Sequence, residues 1–271
     1  MPVTISAWLK QSQGLLKDAE ISTARLDCLV LLEDALGKDR AWLLSHPDEA
    51  LQGSILEKLN TKIVQRAKHI PLAYLRGHAE FYGRDFSVNA HTLVPRPETE
   101  TIIELVKSLR LSAGTRILDV GTGSGCIATT SALELPEAHV SACDIDKNCL
   151  QTAAANANTL GANVTFFESN LLAQAGPQDV LLTNLPYVPD NFQINTAATH
   201  EPRHALFAGP DGLDLYREMF EQIAANSWKP QYILAESLPP QHEVLADIAK
   251  AAGFRLKKTD DFIQLFERQQ M

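Results

Sequence analysis

The stretch Ile117-Leu118-Asp119-Val120-Gly121-Thr122-Gly123-Ser124-Gly125 joins an apolar, strand-like run to a turn with three glycines, and a helical pattern from Ile127 to Leu133 opens directly behind it. Glycine lets a backbone approach a ligand where any Cβ would collide, so Gly121, Thr122, Gly123, Ser124 and Gly125 form a candidate cofactor cradle. Nineteen residues past Gly125, Asp144 closes the next strand-like run, where an acid in nucleotide-binding folds accepts hydrogen bonds from ribose hydroxyls. A dinucleotide fingerprint needs G-x-G-x-x-G. Here position 126 is Cys and the spacing is G-x-G-x-G, which favours S-adenosylmethionine over a nicotinamide cofactor. The alternative is a tight turn that binds nothing.

Outward from this core the elements alternate. Strand-like runs at Arg116 to Asp119, His139 to Asp144, Val164 to Glu168, Val180 to Asn184 and Tyr232 to Ala235 are interleaved with helical runs at Lys147 to Leu160, Tyr216 to Ala225 and Val244 to Ala252. Such alternation predicts a mostly parallel sheet with helices on both faces. Arg255 to Lys258 and Phe262 to Phe266, separated only by Thr259 to Asp261, can pair only antiparallel, so the sheet is expected to end in a hairpin. Residues 1–70 read as helices alone: Ile5 to Leu16, Leu26 to Leu36 behind an N-cap at Ser22 and ahead of a stop at Gly37, and Leu51 to Ile63. Residues 71–97 read as a connector, with Glu80 to Tyr82 and Asp85 to Val88 flanking Gly83 as a hairpin, and 98–271 as the α/β domain. The leading bundle is either a packing domain or a grip for a macromolecular substrate.

A second motif, Leu181-Leu182-Thr183-Asn184-Leu185-Pro186-Tyr187, closes the fourth strand of the α/β domain and places an amide and an aromatic ring where ligands bind in open α/β sheets. A substrate NH2 group there would donate one hydrogen to the Asn184 side-chain oxygen and another to the Leu185 carbonyl, while Pro186 stiffens the turn and Tyr187 stacks on the planar substrate. Two aimed acceptors help localise a delocalised nitrogen lone pair and point it at a methyl donor, without a strong general base.

The 271 residues carry 24 Lys/Arg against 33 Asp/Glu, a net charge of −9. Residues 1–70 are balanced at nine each, so the acidic excess lies entirely in the rest, and no basic nucleic-acid footprint appears. At 45% hydrophobic and 21% charged, the composition excludes a disordered or collagen-like chain. Cys28, Cys126, Cys143 and Cys149 form no C-x-x-C pair and no zinc spacing, and read as reduced buried thiols. His200-Glu201-Pro202-Arg203-His204 matches H-E-x-x-H, but Pro202 breaks the helix that pattern needs, so no metal is expected. The N-terminus lacks the pattern of a signal peptide, and no run reaches the ~18 apolar residues of a membrane helix, which predicts a cytoplasmic protein without membrane contact. Trp8, Trp42 and Trp228 read as packing residues, and Glu98 to Glu104 as a solvated acidic first turn, the alternative being that Pro95 to Thr99 lies over the cofactor and shapes the methyl-donor pocket.

The run Asp119 to Gly125, with Asp144 and Asn184 to Tyr187, resembles class I methyltransferases that act on planar amino groups, whose usual motif is Asn-Pro-Pro-Tyr. Tyr74-Leu75-Arg76-Gly77, Glu80-Phe81-Tyr82-Gly83, Leu93-Val94-Pro95-Arg96-Pro97-Glu98-Thr99-Glu100, Glu201-Pro202 and Gly212-Leu213-Asp214-Leu215-Tyr216 narrow the resemblance to the peptide chain release factor N5-glutamine methyltransferase family, PrmC/HemK. It implies a class I, Rossmann-like fold with an N-terminal helical domain that helps hold the factor. It also implies S-adenosylmethionine as cofactor and methylation of the glutamine in the Gly-Gly-Gln tripeptide of release factors; separately, a monomer is expected. It places Asn170 and Leu171 near the adenine and Glu201 beside the substrate pocket. Two positions depart from the family: Leu185 stands for the first motif proline, and Asn170 for the usual Asp. Asn-Leu-Pro-Tyr is also the form in ribosomal RNA adenine dimethyltransferases, so an N6-adenine or N2-guanine nucleic-acid methyltransferase is the alternative, although −9 supplies no basic track. A cofactor-binding but silent interaction protein is the third.

Overall fold

A computed structural model describes residues 2–269. Two compact units emerge, one running to Gly77 and taking in Asn195–His200, the other comprising His78–Ile194 and the residues from Glu201 onward.

In the first unit, α1 (Ile5–Asp18), α2 (Ala24–Leu36), α3 (Arg40–Ser45), α4 (Gly53–Arg66) and α5 (Leu72–Arg76) pack around Trp8, Leu16, Leu32, Leu43 and Leu59. Trp8 satisfies its buried indole by donating to Asn60 Oδ1 at 2.9 Å, and the buried Asp27 is paired with Arg66 at 2.7 Å. Gly37 ends α2 in a left-handed conformation, φ 61°, as its residue type predicts. The N-cap of α2 is Thr23 rather than Ser22, and its side chain makes no capping bond. At six and five residues, α3 and α5 are too short to display a period. The second of these carries the helical unit to Gly77, beyond the boundary at 70 that the sequence pattern suggests.

The second unit begins with β1 (His78–Phe81) and β2 (Arg84–Ser87), an antiparallel hairpin that buries Phe81 and Phe86 completely, edge to face at 6.1 Å. Burying each ring contributes about 2 kcal/mol. Tyr82 completes the anchoring: its N–H donates to Glu100 Oε1 at 2.8 Å and its hydroxyl to Glu104. These acids therefore fasten the connector rather than merely solvate a helix end. There follow α6 (Glu100–Ser108), β3 (Arg116–Val120), α7 (Cys126–Glu134), β4 (His139–Asp144), α8 (Lys147–Leu160), β5 (Val164–Glu168), β6 (Val180–Thr183), α9 (Asp214–Ala225), β7 (Tyr232–Glu236), α10 (His242–Ala251), β8 (Phe254–Asp260) and β9 (Ile263–Arg268).

The seven strands run in the order β5-β4-β3-β6-β7-β9-β8. The first five are parallel and β9 is antiparallel to both β7 and β8, so the expected mixed sheet with its closing hairpin is present. Successive strands leave β3 in one direction as β4 and β5, and resume on its other side as β6 and β7. The order thus reverses between β3 and β6, and ligands in open α/β sheets bind at the carboxyl ends of strands flanking such a reversal. The glycine turn follows β3 and Asn184 follows β6, so Gly121 and Asn184, 63 residues apart in sequence, lie at the ends of adjacent strands.

Candidate active site

At that reversal lies a cavity of about 290 Å³, at the small end of the range for ligand sites. Gly121, Thr122, Gly123, Ser124, Asp144, Asn170, Leu171, Asn184, Leu185 and Pro186 all line it. Gly125, Tyr187 and Glu201 do not.

The glycine turn is drawn tight by its neighbours. Gly121 and Thr122 donate their N–H groups to the Cys143 carbonyl at 2.9 and 3.0 Å, and Gly123 N–H donates to Asp144 Oδ2 at 2.9 Å. Gly125, at φ 80°, sits where a Cβ would fall 2.8 Å from Ala153 Cβ on α8, so this glycine serves helix packing rather than the ligand. Buried Asn156 on α8 ties the turn to the connector, donating to the carbonyls of Ser124 and Ser87 while accepting from Ser87 N–H. Beneath the turn, fully buried Asp119 accepts from the Thr122 hydroxyl at 2.6 Å and from Ala128 N–H at 3.2 Å; burial pushes its carboxyl up to about 7. Asp144 uses each oxygen once, on the N–H groups of Gly123 and Asp146, which leaves each a lone pair for a hydroxyl. Burial raises its pKa, against the pull of those N–H donors. A diol held by Asp144 and a chain lying along the glycine turn fit this donor and acceptor set, as S-adenosylmethionine requires.

The second motif is assembled by contacts far apart in sequence. Asn184 Nδ2 donates to Thr99 Oγ1 at 3.0 Å. With Nδ2 spent on Thr99, the carboxamide oxygen is the free end, and neither it nor the Leu185 carbonyl has a hydrogen-bond partner among the described residues. Leu185, where a proline is usual, is 3% exposed and fills the space against Gly121, whose Cβ would come 3.0 Å from its Cδ2. Packing restores rigidity that the missing ring would have given. Tyr187 is placed differently from the stacking role that its residue type suggests: it is half-buried, and its hydroxyl donates to Glu236 Oε1 at 3.0 Å. Glu201 likewise turns away from the cavity. Its oxygens accept from Val94 N–H at 3.0 Å and from Arg96 at 2.6 Å, so it clasps the Val94-Pro95-Arg96 segment whose Pro95 and Arg96 line the cavity. Residues 198–200 and 203–205 form separate 3₁₀ turns broken at Pro202, so the helix that H-E-x-x-H needs is not formed. Two thiols, Cys126 and Cys149, line the cavity, and burial pushes each up to about 12.

Sequence reading missed Glu236. It ends β7 with no exposed surface, its Oε1 bonded to Tyr187 and its Oε2 without a partner among the described residues, while Tyr216 donates to its carbonyl at 2.5 Å. An acid closing the apolar run Tyr232-Ile233-Leu234-Ala235 was the available signal. Burial pushes its carboxyl up to about 7, partly opposed by the hydroxyls of Thr99 and Tyr187. An unfolded Glu titrates near about 4.3. Between these values the folded chain binds more protons than the unfolded one, so the contribution of Glu236 to stability falls as pH rises from about 4.5 to 7. Melting temperatures of the protein and its Glu236→Gln variant, taken across this interval, are expected to show the parent losing ground to the variant as pH rises. Parallel curves would contradict a buried, proton-retaining Glu236.

Residues 7–77 match the family description "PrmC N-terminal domain" and residues 100–205 match "Methyltransferase small domain". The "Release factor glutamine methyltransferase" of Koribacter versatilis is 38% identical over 244 residues, spanning 86% of this chain and 87% of the relative. That of Deinococcus radiodurans is 34% identical over 257 residues, 93% and 92% of the two chains, and that of Bacillus subtilis 37% over 232 residues, 81% and 80%. Among solved structures, the hMettl16 catalytic domain in complex with MAT2A 3'UTR hairpin 6 superimposes with a TM-score of 0.55 at 14% identity, covering 80% of this chain and 82% of that one. A methyltransferase from Pyrococcus furiosus gives 0.50 at 18% identity, over 76% and 95%. These two likenesses concern the fold alone, that of a class I methyltransferase. The relatives, matched over most of both chains and joined by the helical domain in front of the catalytic one, establish that this chain belongs to the release factor glutamine methyltransferase family.

Proposed function

We propose that the protein transfers the methyl group of S-adenosylmethionine to the side-chain amide nitrogen, N5, of the glutamine in the Gly-Gly-Gln tripeptide of a peptide chain release factor. The observation that carries this reading is the Asn184 carboxamide, held by Thr99 with its oxygen free, one strand away from the glycine turn. S-adenosylmethionine supplies a methyl group made electrophilic by its sulfonium. The chain does the rest by positioning. Gly121 to Ser124 receive the cofactor, and Asp144 takes the ribose hydroxyls. Asn184 Oδ1 and the Leu185 carbonyl each accept one hydrogen of the substrate NH2, fixing the nitrogen so that its lone pair meets the methyl carbon in line. Pro186 holds the turn, and Tyr187, anchored on Glu236, fixes its far end. As the nitrogen–carbon bond forms, the sulfonium–methyl bond would break with its electron pair returning to sulfur as a neutral thioether, and the nitrogen proton becomes acidic and leaves to solvent, so no strong base of the chain is required. The helical unit is assigned to gripping the factor, consistent with an acidic chain that offers nucleic acid no basic track.

Purified protein given methyl-labelled S-adenosylmethionine, intact release factor, a Gly-Gly-Ala factor variant and ribosomal RNA is expected to label the intact factor alone. Label on RNA would overturn the substrate assignment in favour of a nucleic-acid amine. Cofactor binding without any label would point to a silent interaction protein.

A further inference from the structure

On the cofactor reading proposed above, the place of the base follows from that of the ribose. With the ribose hydroxyls on Asp144 at the end of β4, the base extends toward the end of β5, where Ser169-Asn170-Leu171 lines the cavity. This turn is held in an unfavourable shape. Leu171 is buried at φ 51°, and the turn is braced by bonds from Ser169 Oγ and Cys143 Sγ to the Leu171 carbonyl, from Gln174 N–H to Ser169 Oγ, and from Ser169 N–H to the Asp144 carbonyl. Asn170, exposed at the rim, lines the cavity, and its carboxamide can present either end to a ligand there. An asparagine presents two donors at one end and an acceptor at the other, and a flip reverses what a ligand meets.

We propose that Glu218 on α9 is a positioning residue that locks Asn170 with its oxygen toward the cavity, and so makes the site select a base carrying an exocyclic amino group over one carrying a carbonyl. Asn170 Nδ2 donates to Glu218 Oε1 at 2.9 Å. A carboxylate only accepts, so the NH2 end must face Glu218 and the oxygen must face away. Glu218 is itself aligned by Gln222, whose Nε2 donates to the same oxygen at 3.2 Å. Gln222 in turn cannot flip, because its Oε1 accepts from Leu172 N–H at 2.7 Å and a peptide N–H only donates. The chain Leu172 to Gln222 to Glu218 to Asn170 thus carries one direction from a backbone amide on the cavity turn, through α9, and back to the cavity. An aspartate at position 170 would accept through either oxygen and need no such lock. The inference rests on the cofactor reading given above.

The test compares binding of S-adenosylhomocysteine with that of its 6-oxo counterpart, S-inosylhomocysteine, by calorimetry. The unmodified protein is expected to favour the amino form by about 30-fold or more, because the 6-oxo base sets a carbonyl against the Asn170 oxygen. Glu218→Ala preserves the helix and removes the acceptor, so Asn170 can turn; the preference is expected to fall to about 3-fold or less, mostly through tighter binding of the 6-oxo form. The double variant Asn170→Asp/Glu218→Ala presents an acceptor in either orientation and is expected to recover the preference. A loss of affinity for both ligands alike in Glu218→Ala, or an unchanged preference, would overturn the lock. Failure of the unmodified protein to bind S-adenosylhomocysteine would overturn the cofactor reading together with it.

Discussion

Asn184→Ala is expected to lower the rate of methyl transfer by about 30- to 1000-fold, a loss of ~2 to 4 kcal/mol of transition-state stabilisation. The size follows from what the carboxamide does. Its oxygen accepts a substrate hydrogen that grows more acidic as the new bond forms, so the interaction is stronger in the transition state than before it. Cofactor affinity should stay within a few-fold, because the Asn184 carboxamide spends its other end on Thr99 rather than on the cofactor's ribose. Asp144→Ala provides the contrast, since it removes the ribose acceptor and should weaken cofactor binding while the substrate acceptors remain. Single-turnover rates with saturating cofactor, beside calorimetric Kd values, separate the two. A normal rate in Asn184→Ala would remove the proposed role.

Gly212→Ala is expected to be the most damaging single methyl group that can be added near the site. Gly212 has φ 79°, and a Cβ there would lie 2.1 Å from the Tyr187 carbonyl oxygen and 2.7 Å from its carbon. That carbonyl is the acceptor for Gln241 Nε2 at 2.7 Å, and the same nitrogen donates to the Asp211 carbonyl at 2.7 Å, so the collision breaks a three-way junction behind the motif. Left-handed backbone alone costs an alanine about 1 to 2 kcal/mol. Gly253→Ala isolates that cost, because Gly253 has φ 89° and nothing within 4 Å of its Cβ. We expect Gly212→Ala to lower Tm by about 10 °C, several degrees more than Gly253→Ala, and to slow methyl transfer by displacing Tyr187 and Pro186. Equal losses in the two variants would refute the close approach.

Gly212 shows where sequence reading stops. Its letter appears in the motif Gly212 to Tyr216, yet the reason it must be glycine lies at Tyr187, 25 residues earlier. The fold was legible because its determinants are local. Apolar runs of strand length, helical periods and the glycine turn after Val120 each specify an element, and their alternation specifies a parallel sheet. That the strand order reverses between β3 and β6, and that β9 slides between β7 and β8, is set by which edges meet in space. Asn184 could be found from its position behind an apolar strand, and so could Asp144. Gln241 and Glu218 could not, and Thr99 and Glu236, although one sits in a motif and the other closes an apolar run, gave no hint of their partners, since each of the four acts on a residue 48 to 85 positions away. Tyr187 and Glu201 were found but misplaced for the same reason: the residue type advertises a ring or a carboxylate, while its partner decides where that group points.

The two thiols lining the cavity have a consequence for chemical selectivity. A thiolate is a far better methyl acceptor than an amide nitrogen, and a thiolate beside a sulfonium would capture the group meant for the substrate. At pH 7 an ordinary cysteine is a thiolate a few per cent of the time, and burial, which raises both thiols, cuts that fraction steeply. By burying Cys126 and Cys149, the cavity silences its own strongest nucleophiles, and the weakest one in the neighbourhood, an amide held between two carbonyl oxygens, is left as the acceptor.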